Sequence, residues 1–216
     1  MGNVVVNQLL IIVMLLNFGI LGSSRIRFHI RLIAFQGFIL GIIPFFLYEK
    51  LSIHTFVISF ILILFKSIVI PMFLMNTLKK LKIKLEVENY ISFTHSVLLA
   101  AMGTTLIFVF SSTLPVFGKN ESLYFIQVAM STIFIAFIVI ISRIKAISNV
   151  IGYLVLENGI FIFGFLISEQ IPFSLELGFL LDLIVGIFIM GIVLNHIDRE
   201  FSSIDITQLK SLKEEE

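Results

Sequence analysis

The sequence predicts an all-α, polytopic membrane protein with about seven transmembrane helices, and three observations support this fold class. The chain is strongly apolar, because 58% of its 216 residues are hydrophobic, only 13% are charged and the mean hydropathy is +1.10. Soluble domains contain about 45–50% apolar and about 25% charged residues. The apolar residues form long runs, and Lys and Arg are concentrated in alternate breaks between them. A soluble fold, a nucleic-acid-binding protein and a disordered chain are therefore excluded as classes.

Each apolar run is long enough to cross a bilayer, which takes about 20 residues. The first run has neither a basic segment before it nor a small-residue cleavage site after it, so we expect a retained helix and not a signal peptide. The breaks between the runs are short and polar, which leaves little room for an extramembrane domain. The predicted helices cover residues 4–22, 28–48, 55–78, 91–114, 123–141, 147–168 and 174–196.

The basic residues predict the orientation, since Lys and Arg accumulate in cytoplasmic loops. Only Lys50 and Lys119 fall on one side of the predicted membrane. The other side holds twelve basic residues: Arg25, Arg27, Arg31, Lys79, Lys80, Lys82, Lys84, Arg143, Lys145, Arg199, Lys210 and Lys213. We therefore expect the N-terminus outside the cell membrane and a cytoplasmic tail over residues 199–216.

Three charged residues remain inside the predicted helices: Lys66, Glu157 and Asp182. At 1.5 Å per residue, each lies near the middle of the bilayer. An ionisable side chain at that depth costs at least about 2.5–3.5 kcal/mol on insertion scales, so each must face protein or water and pair with another group. One cation and two anions favour mutual pairing.

Two interpretations of these charges are open. They can hold helices together through one salt bridge and one neutral carboxylic acid. Alternatively they form a proton or cation path, which is the default hypothesis for ionisable residues inside a membrane and the one we favour. A relay needs buried carboxylates and a neighbouring lysine whose charge can displace a proton, and these residue types are present.

Weaker candidates surround the three charges. Pro71 follows Lys66 on the third helix and predicts a kink there, because proline has no N–H to donate. Tyr153 lies one turn before Glu157 and can either bond it or simply pack. Gln36 is a candidate polar station or a helix-contact amide, as are Gln127, Asn149 and Asn158. His95, near the cytoplasmic face, is a candidate proton entry group or an ordinary interfacial histidine.

The chain offers no catalytic centre or metal site of its own. It contains no cysteine, its four histidines lack metal-ligand spacing, and no phosphate-binding glycine loop or nucleophile motif is present. Any redox chemistry is therefore expected in partner proteins.

A faint internal repeat divides the chain into two three-helix units. Each unit runs through a basic loop, a helix, an outer loop and a helix with an internal charge, so that Lys66 aligns with Asp182 and Gln36 with Glu157. Repeats are common in ion-moving membrane proteins. We expect units over residues 1–84 and 119–198, a linker helix within 85–118, and the tail.

The segments NVIGYLVLENGIFIFGFLI and LELGFLLDLIVGIFIMGIVLNHIDREFSSIDITQLKSLK resemble the C-terminal part of hydrogenase-4 component E, the HyfE family. This family comprises membrane subunits of formate hydrogenlyase and related group 4 energy-converting [NiFe] hydrogenases. The last three helices are also similar to the NuoK subunit of complex I and its counterpart in multisubunit cation/proton antiporters. There, two helices each carry a buried glutamate on the ion path.

The resemblance implies a subunit that binds no cofactor itself. Its partners would be antiporter-like and quinone-subunit-like membrane subunits and a cytoplasmic hydrogenase arm that holds the [NiFe] centre and iron–sulfur clusters. Glu157 matches the first glutamate and Asp182 stands at the second, as successive proton or Na⁺ stations. Lys66 would be the movable counter-charge, and Gln36 a polar station beside it. The first half departs from NuoK, with Gln36 and Lys66 where acids would stand.

Three other functions remain open from the sequence. A multisubunit antiporter component would carry similar charges, but its NuoK counterpart needs only three helices. A stand-alone transporter would normally bring more helices and broken ones. A purely structural membrane subunit would use the charges only for packing.

Overall fold

The computed structural model describes residues 2–47, 53–80, 87, 89–113, 120–167 and 186. Within these ranges the chain is helical throughout, apart from short connections. The helices are α1 (Gly2–Gly22), α2 (Ile26–Leu47), α3 (Ile53–Ile63), a π-helical segment (Leu64–Val69), α4 (Ile70–Lys80), α5 (Phe93–Thr113), α6 (Asn120–Ser142) and α7 (Ala146–Ile167). The segments α3, π and α4 are continuous and form one long helix.

Six helices in the described ranges are long and apolar enough to cross a membrane. They cover Val4–Gly22, Ile26–Leu47, Ser59–Lys79, Phe93–Thr113, Leu123–Ser142 and Ile147–Phe165. The all-helical class and the first six predicted helices are confirmed, with helix ends within three residues of those expected from hydropathy. The seventh helix, residues 174–196, lies outside the described residues, and both the count of seven and the orientation stay predictions.

The helices pack through apolar side chains and through glycines that allow close approach. A first core cluster includes Ile30 of α2, Leu74 of α4 and Ile151 of α7, and a second joins Leu10 of α1 with Leu40 of α2. The hairpin of α6 and α7 is especially close. A Cβ placed on Gly152 would lie 2.6 Å from Ile140 Cγ1, and one on Gly159 would lie 2.8 Å from Ile133 Cγ1. Small residues at such contacts are typical of membrane helix packing.

Three predicted cytoplasmic breaks meet at one end of the bundle. The Val87 N–H donates to the Ser24 carbonyl at 2.8 Å, and the Tyr90 N–H donates to the Ser142 carbonyl at 2.9 Å. Asn89 and Arg143 form an isolated antiparallel bridge. This shared end agrees with the alternation of basic breaks in the sequence. The division of the chain into two three-helix units stays a prediction.

Arg143 ties this end of the bundle together. Its Nη2 donates to the Leu21 carbonyl at 2.9 Å, and its guanidinium lies 4.5 Å from the centre of the Phe93 ring. Burial lowers the pKa of Arg143 to about 10, which leaves the side chain charged at neutral pH. One positive side chain therefore connects the end of α1, the start of α5 and the α6–α7 turn.

A kink is predicted at Pro71, and the structure shows a wide helical turn just before this residue. The Ile70 N–H bonds to the Phe65 carbonyl, five residues earlier, as in a π-helix. Pro71 is buried and has no N–H to give to the preceding turn. The irregularity therefore lies at residues 64–69, and it contains Lys66.

Candidate functional site

A buried ion pair lies between the π-helical segment and α7. Lys66 Nζ donates to Glu157 Oε1, and the two side chains are 4% and 2% exposed. Their charges come from helices that are far apart in the sequence. The pairing of Lys66 with a buried carboxylate, expected from charge balance, is therefore present in the fold.

The ammonium has further favourable contacts around it. Asn158, the residue after Glu157, presents its Oδ1 at 3.3 Å from Lys66 Nζ. The Phe161 ring lies one turn further along α7, with its centre 5.0 Å from Nζ. A carboxylate, an amide oxygen and an aromatic face all stabilise a cation. The surroundings of Lys66 are thus suited to its charged form.

A chain of hydrogen bonds extends from Asn158 across the bundle, and we call it the amide chain. Asn158 Nδ2 donates to Gln36 Oε1 at 3.2 Å, and Gln36 Nε2 donates to Asn17 Oδ1 at 2.7 Å. Asn17 Nδ2 then donates to Thr132 Oγ1 at 2.9 Å. All four residues are buried. The ion pair is therefore joined through side chains to α2, α1 and α6.

The hydrogen bonds of the amide chain all point the same way, from Lys66 toward Thr132. Each amide receives a hydrogen bond at its oxygen from the side nearer Lys66 and donates from its nitrogen to the next residue. The ammonium can only donate, so it fixes Asn158 with its oxygen toward Lys66. The amides do not titrate near neutral pH, and they orient the charged pair without storing a proton.

A small cavity adjoins the ion pair. It is lined by Lys66, Glu157 and Asn158 on its polar side and by Ile33, Ile70 and Leu154 on its apolar side. It has about 10 Å³ of room for the centre of a water molecule, which is close to what one water needs. A single water there would lie beside both members of the ion pair.

The remaining candidates occupy different places. Gln36 is a central member of the amide chain, and Pro71 is buried at the end of the π turn. Tyr153 lies on α7 one turn before Glu157 and is 38% exposed. His95 is exposed at the start of α5, where its Nδ1 shares a hydrogen bond with Ser92 Oγ at 2.6 Å. Asp182 falls outside the described residues.

Two members of the amide chain, Asn17 and Thr132, were not predicted from the sequence. Asn17 is an amide in the otherwise apolar stretch IIVMLLNFGILG, and that isolation was the available signal. Thr132 gave no comparable signal, because a threonine in a membrane helix can bond its own backbone and needs no partner. Asn158 is among the amides expected to be either a polar station or a helix contact, and it contacts the lysine directly.

The site carries charge without the ligands of a metal centre. Within the described part of the chain, no three side chains of His, Cys, Asp or Glu are grouped so as to hold a metal ion. One carboxylate and one ammonium beside a small cavity are groups that can exchange a proton.

Comparison with known proteins gives one distant relative and no family. The chain is 27% identical over 192 residues to the uncharacterized protein Rv0085 of Mycobacterium tuberculosis. The matched region covers 88% of this chain and 87% of that protein. No protein-family model matches the chain, and no solved structure matches it. The similarity extends along nearly the whole chain, so it includes the helices that carry Lys66 and Glu157.

Proposed function

We propose that this chain is a non-catalytic membrane-arm subunit of a complex I-like, membrane-bound hydrogenase of the HyfE type. In this role it contributes buried charges to proton or Na⁺ translocation, driven by redox chemistry in partner subunits. The observation that carries the proposal is the buried Lys66–Glu157 pair with its amide chain. The proposed topology has seven spans, with the N-terminus outside and the C-terminus in the cytoplasm of a cell-membrane protein.

The energetic cost of the pair supports a functional role. Desolvating two ions costs several kcal/mol each, and apolar side chains of similar volume would often hold the same helices equally well. The chain is otherwise rich in such side chains, with 58% hydrophobic residues. An ion pair kept at this depth is therefore better explained by charge movement than by packing.

The proposed roles follow from the chemistry of each group. Glu157 takes up and releases a proton or binds a cation, and Asp182 is the next station. Lys66 is the counter-charge, whose approach favours the carboxylate form of Glu157 and whose withdrawal favours proton uptake. In this proposal a water bound in the cavity, which has room for about one, carries the proton between Glu157 and the path beyond it.

The redox centres in this proposal belong to other subunits. The [NiFe] centre and the iron–sulfur clusters are assigned to a cytoplasmic arm, and antiporter-like and quinone-subunit-like proteins are assigned to the membrane arm. This division rests on the resemblance of GYLVLENG and IDITQLKSLK to the HyfE family, and on a chain without cysteine. The membrane part of the division is supported by six apolar helices.

Purification of the full chain from its native membrane tests the assignment to a hydrogenase. We expect a mild-detergent preparation to retain a nickel- and iron-containing partner together with several other membrane proteins. Metal analysis and mass spectrometry of the purified material measure this. Recovery as a lone protein with full transport activity would support a stand-alone transporter and contradict the proposal. Recovery with antiporter subunits free of nickel and iron–sulfur clusters would identify an antiporter component.

A further inference from the structure

Gly37 of α2 lies against the backbone of Lys66. A Cβ at Gly37 would stand 2.6 Å from Lys66 Cβ and 2.8 Å from both the Lys66 carbonyl carbon and oxygen. Ordinary contacts between carbon atoms are about 3.5–4.0 Å. No side chain fits at position 37 while Lys66 keeps its place.

The contact is with the Cβ and the backbone of Lys66, whose positions do not change with the rotamer, so a rotamer change cannot relieve it. Lys66 is held inside the π-helical segment, and its carbonyl carbon moves only if the segment moves. A methyl group at position 37 would push this turn away by about 1 Å to restore normal contacts. The base of the Lys66 side chain would move with its backbone, away from α2, and the ammonium could keep its contacts only by changing the side-chain torsions.

The hydrogen bonds of Gln36 hold the rest of the site in place when the π turn moves. Gln36, directly before Gly37, is held by Asn158 and Asn17. Asn158 and Glu157 are fixed on α7, where Gly159 packs against Ile133 of α6. Displacing the π turn therefore separates Lys66 from Glu157 and Asn158, while the amide chain stays in place.

We infer that Gly37 is a positioning residue, whose lack of a side chain places the Lys66 ammonium against Glu157. The inference concerns the site on which the proposed function rests, but it is a statement about geometry that can be tested without measuring ion movement. Position 37 acts through Lys66 and does not itself contact the carboxylate.

Gly41 provides a matched control one turn along α2. A Cβ there would meet the Ile63 side chain at 2.4 Å, whereas the Ile63 backbone nitrogen is 3.2 Å away. Gly41→Ala therefore disturbs the same pair of helices at Ile63, three residues before Lys66, and makes no close contact with Lys66 itself. An effect that is seen in Gly37→Ala but not in Gly41→Ala is therefore attributed to the position of Lys66 and not to general helix packing.

Infrared spectroscopy of the full chain, purified with the proteins that accompany it, tests the inference. We expect Gly37→Ala to assemble and to show a new protonated carboxylic acid band, because Glu157 has lost its ammonium partner. Adding Glu157→Gln to the same variant should remove the band. The native protein and Gly41→Ala should lack it.

The outcomes separate this inference from the proposed function. An acid band in Gly37→Ala with unchanged ion translocation would keep the positioning role and contradict the ion path through Glu157. A spectrum identical to that of the native protein would overturn the positioning role. So would loss of assembly in Gly37→Ala, since the residue would then serve packing alone.

Discussion

Removing one member of the Lys66–Glu157 pair leaves the other as a buried charge that has lost its counter-ion. Both side chains are almost fully buried, so bulk water compensates little of the charge that remains. Asn158 offers its oxygen to the ammonium, so one hydrogen-bond acceptor stays beside Lys66 when Glu157 is replaced. The loss of either charge is nevertheless expected to be costly, because the opposite charge stays buried.

The buried pair gives a prediction at the level of single residues. Lys66→Met should destabilise the protein by about 3–5 kcal/mol, the usual cost of breaking a buried pair. The double substitution Lys66→Met with Glu157→Met should recover most of that loss, because two apolar side chains replace two desolvated ions. Thermal unfolding of the purified full chain in detergent, with its partners retained, measures both.

A double variant that is as unstable as Lys66→Met would contradict this account of the pair. The same variant also separates a structural role from a functional one. We expect it to assemble yet to fail in ion translocation, whereas a purely structural subunit would translocate normally.

The polar residues of the site differ in how far the sequence predicted them. Lys66 and Glu157 were predictable, because a charge within an apolar run is costly and must find a partner. Gln36 was among the weaker candidates, and the fold places it at the centre of the amide chain. Asn17 and Thr132 became part of the site only through helix packing, which brings residues more than one hundred positions apart into contact.

Among the elements, the π-helical segment is the feature that hydropathy could not reveal. The residues LFKSIV sit within a run whose apolar composition fits an α-helix equally well. Pro71 signalled an irregularity nearby, since it removes a backbone donor. It did not specify a wider turn, which lies where Lys66 packs against Gly37. Helix positions followed from local composition, whereas the position of this turn did not.

The proposed seventh helix, residues 174–196, gives a prediction at the level of elements. A reporter fused after Gln170 should lie outside the cell, and one fused after Glu216 should lie in the cytoplasm. Alkaline phosphatase should therefore be active at the first site and green fluorescent protein fluorescent at the second. Cytoplasmic signals at both sites would exclude a span between them. A reversed pattern would contradict the orientation expected from basic residues.

For the whole molecule, the composition predicted the class of fold because membrane spans require long apolar runs. The meeting of residues 24, 87, 90 and 142 at one end of the bundle agrees with the predicted alternation of breaks. Function was less accessible, since ion movement depends on how a few polar groups meet. In the fold these groups join five helical segments: α1, α2, the π segment, α6 and α7. The ion pair and amide chain thus form a single polar layer across the bundle.

We propose that charge movement at Glu157 contributes to ion translocation. The most direct measurement is the number of ions moved per redox turnover by the purified complex carrying Glu157→Gln, reconstituted in vesicles. Glutamine keeps the size of the side chain and cannot release a proton, so we expect an assembled complex that still turns over. We expect fewer ions per turnover than in the native complex, because the lost proton-transferring group contributes about 100-fold or more to the rate of proton transfer. Glu121→Gln, in the first turn of α6, serves as the control and should translocate normally. An intact Glu157→Gln complex that moves as many ions per turnover as the native one would contradict the account.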